Sequence, residues 1–221
     1  MTGSTAENQI LKVHEIFYSI QGESTQAGRP CVFVRLSSCN LRCSYCDTTY
    51  AFYEGRELTI AAILQQVKEF NCPLVEITGG EPLLQKNVHH LLKLLCDQHY
   101  EVMLETAGHL DIQPVDQRVR IIMDLKCPGS GESGRILWPN LMYLKPQDEI
   151  KFVITDRADF DWVVSTIGNR KLSGRHNLLV APVSGLVDPA QLAAWILEAK
   201  LPLRLQLQIH KFIWGADKRG V

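Results

Sequence analysis

The chain has almost no excess of charge of either sign. Its 221 residues include 23 Lys and Arg against 24 Asp and Glu, a formal net charge of -1. A protein that binds nucleic acid through phosphate contacts usually carries a basic excess, so this balance argues against such a partner. We expect a small molecule to be the ligand instead.

Long hydrophobic runs are also missing. No segment approaches the roughly 18 apolar residues that suggest a membrane span, and residues 1–9 have neither the basic stretch nor the apolar stretch of an export signal. These absences predict a soluble, cytoplasmic chain with no membrane partner. With 46% hydrophobic and 21% charged residues, the composition is typical of a globular protein and excludes a disordered one.

Cysteine is present in an odd number, seven, which does not suit a disulfide framework. A reducing cytoplasm would keep the thiols free in any case. Three of them fall within residues 39–46, a spacing that favours a metal or cluster site. The other four stand in apolar surroundings, and we expect them to be buried small hydrophobic residues: Cys31, Cys72, Cys96 and Cys127.

Strand-like and helix-like segments alternate after the first thirty residues. This order is typical of βαβ units with a mainly parallel sheet, so the predicted fold class is α/β. No linker, repeat or low-complexity tract interrupts it, and we expect a single domain over residues 1–221. The predicted strands are 31–36, 74–78, 101–105, 121–125, 149–154, 177–181 and 203–209, and the predicted helices are 59–70, 87–99, 158–167 and 188–200.

Unusual residues follow four consecutive predicted strands. They are the cysteine cluster at 39–46, the sequence TGGEP at 78–82, ETAG at 105–108 and DLK at 124–126. In parallel α/β sheets the loops after the carboxyl ends of the strands form the ligand crevice. The sequence therefore predicts one functional site along this edge.

The cysteine cluster supplies three thiols, at Cys39, Cys43 and Cys46. A structural zinc ion needs four closed ligands, and the sequence has no further CxxC or Cys/His pair to complete such a set. A [4Fe-4S] cluster held by three thiolates instead leaves one iron open for a substrate or cofactor. We favour the open cluster and keep a zinc or redox site as the alternative.

Two motifs together resemble the radical S-adenosylmethionine superfamily: the CxxxCxxC loop with Tyr45 before its last cysteine, and TGGEP at 78–82 one strand–helix unit later. Within the superfamily the chain is similar to the family of 7-carboxy-7-deazaguanine synthases, over nearly its whole length beyond about residue 10. The segments that carry this similarity are FYSIQGE at 17–23, FVRL at 33–36, CDT at 46–48, ETAG at 105–108 and QIHK at 208–211.

The resemblance implies a partial, trimmed TIM-like barrel and a definite chemistry. The open iron would bind S-adenosylmethionine, and electron transfer would yield a 5'-deoxyadenosyl radical that takes hydrogen from C6 of 6-carboxy-5,6,7,8-tetrahydropterin. Ring contraction with loss of ammonia would give 7-carboxy-7-deazaguanine, on the route to queuosine and other 7-deazapurines, and the cofactor would be regenerated. A flavodoxin- or ferredoxin-type electron donor and a homodimer are implied as well.

The resemblance also assigns residues. No side chain receives a catalytic role, because the cluster and the cofactor carry the radical chemistry. Thr48 resembles the magnesium ligand of the family, and Cys39, Cys43 and Cys46 would hold the cluster. The implied cofactor-binding residues are Tyr45, Cys46, Asp47, Gly80, Glu81, Asp124, Leu125 and Lys126, and the implied substrate-binding residues are Ile20, Gln21, Gly22, Arg35, Thr78, Glu105 and Val221.

Some of these assignments have structural alternatives. Arg35 lies within the apolar run CVFVRL and needs a carboxylate partner, which is either that of the pterin or one from Glu23 or Glu15. Asp124 and Lys126 equally suit a simple ion pair at a strand end. Residues 203–209 alternate leucine or isoleucine with polar residues, so we expect a strand whose polar face borders either the cavity or solvent.

Isolated histidines carry no signal of their own, and we read His14, His109, His176 and His210 as surface or satisfied residues unless the fold places them at the site. Two rival functions remain open. One is a glycyl-radical activase, a radical enzyme that would need a surface for docking a protein. The other is a zinc-binding module without enzymatic activity.

Overall fold

A computed structural model describes residues 6–216 and 218–221 of the chain. Nine strands form one sheet in the order β3-β1-β2-β4-β5-β6-β7-β8-β9. The strands are β1 (Ile10–Ile20), β2 (Pro30–Leu36), β3 (Arg56–Thr59), β4 (Leu74–Gly79), β5 (Glu101–Thr106), β6 (Arg120–Asp124), β7 (Glu149–Ile154), β8 (Asn177–Pro182) and β9 (Leu203–Leu205). The helices are α1 (Ile60–Glu69), α2 (Val88–Asp97), α3 (Arg157–Arg170), α4 (Pro189–Ala199) and α5 (Ile209–Trp214).

The sheet is parallel from β2 to β9 and its two edges do not meet, so the barrel is partial, as the resemblance implied. Right-handed β–α crossovers require such parallel neighbours. The strands predicted between residues 31 and 181 all form, with ends that move by one residue at most. The predicted α/β class is therefore confirmed.

Helices α1 and α2 cover the sheet because each presents a continuous apolar stripe. Ile60, Ile63, Leu64 and Val67 of α1 are buried at helical spacing. Thr59 caps this helix, since its hydroxyl accepts a hydrogen bond from the Ala62 amide at 3.2 Å. Pro189 opens α4, although the Asp188 side chain makes no capping hydrogen bond there. The four scattered cysteines are buried, also as predicted: Cys31, Cys72, Cys96 and Cys127.

The sheet has an antiparallel extension at one edge that was not predicted from the sequence, because the first predicted strand began at residue 31. Strand β1 pairs with β2 on one side and with the short strand β3 on the other. A register shift between Val13 and Glu15 breaks the alternation of β1, and only some of its apolar residues are fully buried. That irregular pattern explains why hydrophobic periodicity did not reveal the strand.

The prediction of one strand over residues 203–209 was wrong. Only Leu203–Leu205 pair with β8, and the chain then turns into helix α5 from Ile209. The Ile209 amide donates a hydrogen bond to the Gly22 carbonyl at 3.0 Å, which anchors the start of α5 beside the end of β1. Apolar and polar residues alternate through residue 209 just as they would in a longer strand. The alternation alone therefore did not indicate that the strand ends at Leu205. Within the described residues, no helix is both long and apolar enough to span a membrane.

Candidate active site

A cavity of about 340 Å³ opens at the carboxyl ends of the parallel strands. This is the edge at which the sequence placed its unusual residues, and the volume is within the range of small-molecule sites. Most of the predicted site residues border it. They are Ile20, Gln21, Gly22, Arg35, Thr78, Glu105 and Val221 from the predicted substrate set, Tyr45, Cys46, Asp47, Gly80, Asp124 and Lys126 from the cofactor set, and Cys39, Cys43 and Thr48 from the metal set.

Glu81 and Leu125 do not border the cavity. The Glu81 carboxylate is fully buried and accepts hydrogen bonds from Thr106 Oγ1 at 2.9 Å and from the Ala107 amide at 2.8 Å. It joins the loop after β4 to the end of β5, so its acceptor sites are engaged within the protein. Leu125 is buried in the hydrophobic core. The predicted cofactor contacts of Glu81 and Leu125 therefore stay predictions, and these two residues do not line the cavity.

The cysteine loop is held in place from two sides. The Glu81 amide donates to the Ser38 carbonyl at 2.8 Å, and the Ser44 amide donates to the Ser130 carbonyl at 3.0 Å. Gly80 passes so close to the loop that a Cβ at this position would collide with the Ser38 carbonyl and with Cys39 Cβ. Glycine is therefore required at Gly80 by close approach of two backbones.

The three loop thiols are half-buried and border the same cavity. Burial raises the pKa of Cys43 to about 11 and also raises the pKa of Cys39 and of Cys46. The thiols are thus protonated at neutral pH unless a metal displaces the protons. Lys126 opposes this effect at all three sites, because its ammonium favours the thiolates.

This donor set fits an iron–sulfur cluster better than a single ion. In residues 6–216 and 218–221, no three Cys, His, Asp or Glu side chains converge closely enough to bind one metal ion. A [4Fe-4S] cluster does not need three ligands on one atom, because each thiolate binds a different iron of the cluster. The geometry thus argues against the alternative of a closed zinc site.

Beside the thiols, Asp124, Lys126 and Tyr45 form a buried polar group. Lys126 Nζ lies 2.7 Å from Asp124 Oδ2 and 5.9 Å from the centre of the Tyr45 ring. The ion pair named as an alternative is therefore present, and both of its residues still border the cavity. Within the described chain, Tyr45 Oη and Asp124 Oδ1 are buried without a hydrogen-bond partner. Such atoms are normally satisfied, so they mark a place where a polar ligand fits.

Arg35 pairs with a protein carboxylate, the second of the two possibilities that the sequence allowed. Its Nε lies 2.7 Å from Glu15 Oε1, across the β1–β2 pair. The guanidinium also lies over the rings of Phe17 and Tyr50, at 5.8 and 6.0 Å from their centres. Burial alone would lower the pKa of Arg35, but Tyr50 and Glu15 raise it, so the side chain is a partly buried cation at the edge of the cavity.

Lys151 is the functional candidate that the sequence analysis missed. It lies on β7, borders the cavity and contacts two carboxylates: Glu23, and Glu105 with Nζ–Oε1 at 2.8 Å. Thr78 Oγ1 donates to the other oxygen of Glu105 at 3.1 Å. A lysine within the apolar run EIKFVI is the same signal as Arg35 within CVFVRL, and it could have been recognised on that ground.

The carboxyl-terminal segment also contributes to the cavity. Lys211 of α5 pairs with Asp47 of the cysteine loop at 3.0 Å, and Thr48 donates to the same aspartate at 3.0 Å. His210, which the sequence left unassigned, packs against Gly22 and borders the cavity. Burial lowers the pKa of His210, so its imidazole is neutral at pH 7. The other three isolated histidines lie outside the cavity lining: His14, His109 and His176.

Comparison with known proteins agrees with this geometry. The sequence profile of the Radical SAM superfamily matches residues 34–169. A protein named 7-carboxy-7-deazaguanine synthase from Chlorobaculum tepidum is 47% identical over 214 residues, covering 96% of this chain and 97% of that protein. One of the same name from Koribacter versatilis is 42% identical over 227 residues, covering 96% and 100%.

Solved structures show the same fold. QueE from Escherichia coli superposes with a TM-score of 0.74 at 20% identity, covering 90% of this chain and 94% of that one. SuiB from Streptococcus suis, solved with S-adenosylmethionine bound, gives a TM-score of 0.50 at 19% identity over 77% of this chain and 48% of its own. At these identities the likeness concerns the fold alone.

The chain therefore belongs to the radical S-adenosylmethionine superfamily. This membership implies a [4Fe-4S] cluster and S-adenosylmethionine, and the cysteine loop fits both. Within the superfamily the chain belongs to the 7-carboxy-7-deazaguanine synthases. The relatives thereby favour this family over a glycyl-radical activase.

Proposed function

We propose that this chain is a 7-carboxy-7-deazaguanine synthase, a lyase that acts on 6-carboxy-5,6,7,8-tetrahydropterin and releases ammonia. The observation that carries the proposal is that the cysteine loop borders the same cavity as Arg35, Lys151 and Glu105. A radical generated at the loop would thus form beside a polar site suited to a small carboxylated heterocycle. The product is an intermediate of queuosine and 7-deazapurine biosynthesis.

When bound, the cluster and S-adenosylmethionine would supply the radical chemistry that removes hydrogen from C6 of the pterin. Cys39, Cys43 and Cys46 would hold the cluster, and the backbone at Gly80 would border the methionyl group. The unpartnered Asp124 Oδ1 and Tyr45 Oη support a role for these residues in binding the cofactor. Lys126 would hold the Asp124 carboxylate in place through their ion pair, and Asp47 would contribute from the end of the cysteine loop.

Substrate recognition would use the opposite part of the cavity. The Arg35 guanidinium has five N–H donors, and its contact with Glu15 engages Nε, so the η nitrogens would bind the pterin carboxylate. Thr78 and Glu105 would contact the pterin ring from adjacent strands, with Ile20, Gln21 and Gly22 above them. Val221 borders the cavity at the carboxyl terminus and would help to cover the ligand.

Thr48 is proposed as a magnesium ligand. A Mg²⁺ ion typically keeps several waters and takes few protein oxygens together with oxygens of the substrate, so one hydroxyl at the cavity edge is sufficient. Support comes from the position of Thr48, which borders the cavity beside Asp47. Thr48→Ala should raise the magnesium concentration needed for turnover and leave iron content unchanged. An unchanged magnesium dependence would contradict the assignment.

Two protein partners complete the proposal. A flavodoxin- or ferredoxin-type protein would deliver the electron, and a second copy of the chain would form a homodimer. Exposed Phe212 and Ile213 on α5 provide an apolar surface that supports association. Sedimentation velocity of the full chain tests the dimer.

The substrate assay tests the function directly. The reconstituted, reduced protein should convert 6-carboxytetrahydropterin to a deazapurine that mass spectrometry identifies. Tetrahydropterin without the carboxylate is the matched control, and we expect little turnover of it because Arg35 would have no anion to bind. Absence of product from the carboxylated pterin, in a sample that cleaves S-adenosylmethionine, would contradict the proposed function.

A further inference from the structure

Around Lys151, the cavity has more carboxyl groups than cations. Glu23, Glu76 and Glu105 all border it, and Lys151 is the ammonium that contacts two of them. Glu23 receives a further hydrogen bond from Gln208 Nε2 at 2.8 Å, and Glu105 receives one from Thr78. Both of these carboxylates are therefore paired with a cation and hydrogen-bonded.

Glu76 differs from the other two. It lies on β4 with only 6% of its surface exposed, and its carboxyl accepts a hydrogen bond from Gln21 Nε2, which is a neutral amide. Across residues 6–216 and 218–221, no ion pair includes Glu76. Burial of a carboxyl whose hydrogen-bond partner is neutral favours its protonated form.

The groups that face Glu76 reinforce this state. Glu105 on β5 and Glu23 after β1 are carboxylates that disfavour a further negative charge, while Lys151 on β7 favours it but is shared with those two. On β2, the Cys31 thiol stays neutral because burial raises its pKa, and the Arg35 cation is engaged by Glu15. Burial and Glu105 together raise the pKa of Glu76 to about 8.

We propose that Glu76 is a specificity-determining residue that keeps a proton in the resting enzyme and donates a hydrogen bond to the bound ligand. Its oxygen already accepts from Gln21, so the proton on the carboxyl is the group available toward the cavity. The ligand atom it selects is a neutral acceptor, such as the carbonyl oxygen or an imine nitrogen of a fused pyrimidinone ring. This inference rests on the proposed function and adds a contact to it.

Glutamine is the matched substitution at this position. Glu76→Gln keeps the size of the side chain, accepts from Gln21 and still donates, so the affinity for 6-carboxytetrahydropterin should stay close to that of the wild type at pH 7. Glu76→Leu removes the donor and leaves Gln21 Nε2 without its acceptor, so the affinity should fall about tenfold. Calorimetric titration with cofactor present measures both.

The pH dependence of the affinity gives a second test, which the wild type alone can contradict. As pH rises through about 8, Glu76 in the wild type loses its proton and its donor, so affinity should decrease. Glu76→Gln cannot ionise, and its affinity should not show this decrease. A wild-type affinity that is constant or increases across this range would overturn the proposal, as would a Glu76→Gln variant that binds as weakly as Glu76→Leu.

The protonation state itself can be observed by infrared spectroscopy of the substrate-free protein at pH 7. We expect the wild type to show a carbonyl stretch of a protonated carboxylic acid that the Glu76→Gln variant lacks, so the difference between the two spectra should contain this band. Absence of the band from the wild type would contradict the inference even if the pterin is turned over. Failure of the wild type to bind or convert the pterin would instead contradict the proposed function, whatever the spectrum shows.

Discussion

At the scale of single residues, the loop thiols decide whether the cofactor can be held. Cys39→Ala, Cys43→Ala and Cys46→Ala should each abolish bound iron and the cleavage of S-adenosylmethionine, because three thiolates leave no spare ligand. Iron analysis and the visible absorbance after anaerobic reconstitution measure this loss. Cys72→Ala and Cys96→Ala, which alter buried thiols in the core, are the controls and should retain both. Normal iron content in any of the first three variants would contradict the cluster assignment.

Arg35 is expected to serve both stability and binding, because it pairs with Glu15 while it borders the cavity. Glu15→Gln should lower the free energy of unfolding by about 1–2 kcal/mol, the size of a charged hydrogen bond, with little effect on pterin affinity. Arg35→Lys should lower the stability and also weaken pterin binding by about 2 kcal/mol or more, since the planar fork is lost. Melting curves and calorimetric titrations separate the two effects. If the Arg35→Lys variant binds the pterin with normal affinity, Arg35 does not bind the substrate carboxylate.

At the scale of elements, Glu81 links the loop after β4 to the end of β5. Glu81→Ala leaves the Thr106 hydroxyl and the Ala107 and Leu83 amides without their acceptor, so it should destabilise the protein by about 3 kcal/mol. Denaturant unfolding measures this, and Glu57→Ala on exposed strand β3 is the control. A melting temperature equal to that of the wild type would show that the carboxylate is not structural.

Helices and strands could be predicted where the hydrophobic periodicity of the sequence matches the residues that the fold buries. The parallel strands and the helices α1 to α4 each carry a pattern that their burial repeats, and α1 shows this directly. Strand β1 was missed because its register shift disrupts the alternation, and α5 was missed because a contact with Gly22 fixes it. Such a tertiary contact cannot be predicted from the local sequence.

At the scale of the whole molecule, the sequence located the site but not its internal pairings. The parallel topology brings the four strand ends that carry the unusual residues to one cavity. The strand order therefore predicted which residues belong to the site. Which carboxylate meets which cation depends on side-chain packing across strands far apart in sequence, as with Lys151 and Glu23. Glu81 was predicted to contact the cofactor because the sequence does not show that the end of β5 encloses its side chain.

The stability of the folded chain should depend on pH through Glu76. Its pKa is about 8 in the folded protein against an ordinary value of 4.5. Between these values the folded chain keeps a proton that the unfolded chain has lost, so this stabilisation is complete below about pH 4.5 and is lost as pH rises to about 8. The melting temperature of the wild type minus that of Glu76→Gln should therefore fall between about pH 5 and about pH 8. A difference that does not change with pH would contradict a protonated Glu76.

The central claim is that one cavity holds the pterin next to a cofactor that is regenerated in each cycle. The most direct measurement supplies the reconstituted and reduced full chain with 6-carboxytetrahydropterin in excess over S-adenosylmethionine, and quantifies both by mass spectrometry. We expect more 7-carboxy-7-deazaguanine than the S-adenosylmethionine supplied, with the cofactor largely intact at the end. Cofactor cleavage without any deazapurine, or consumption of one cofactor for each product, would contradict it.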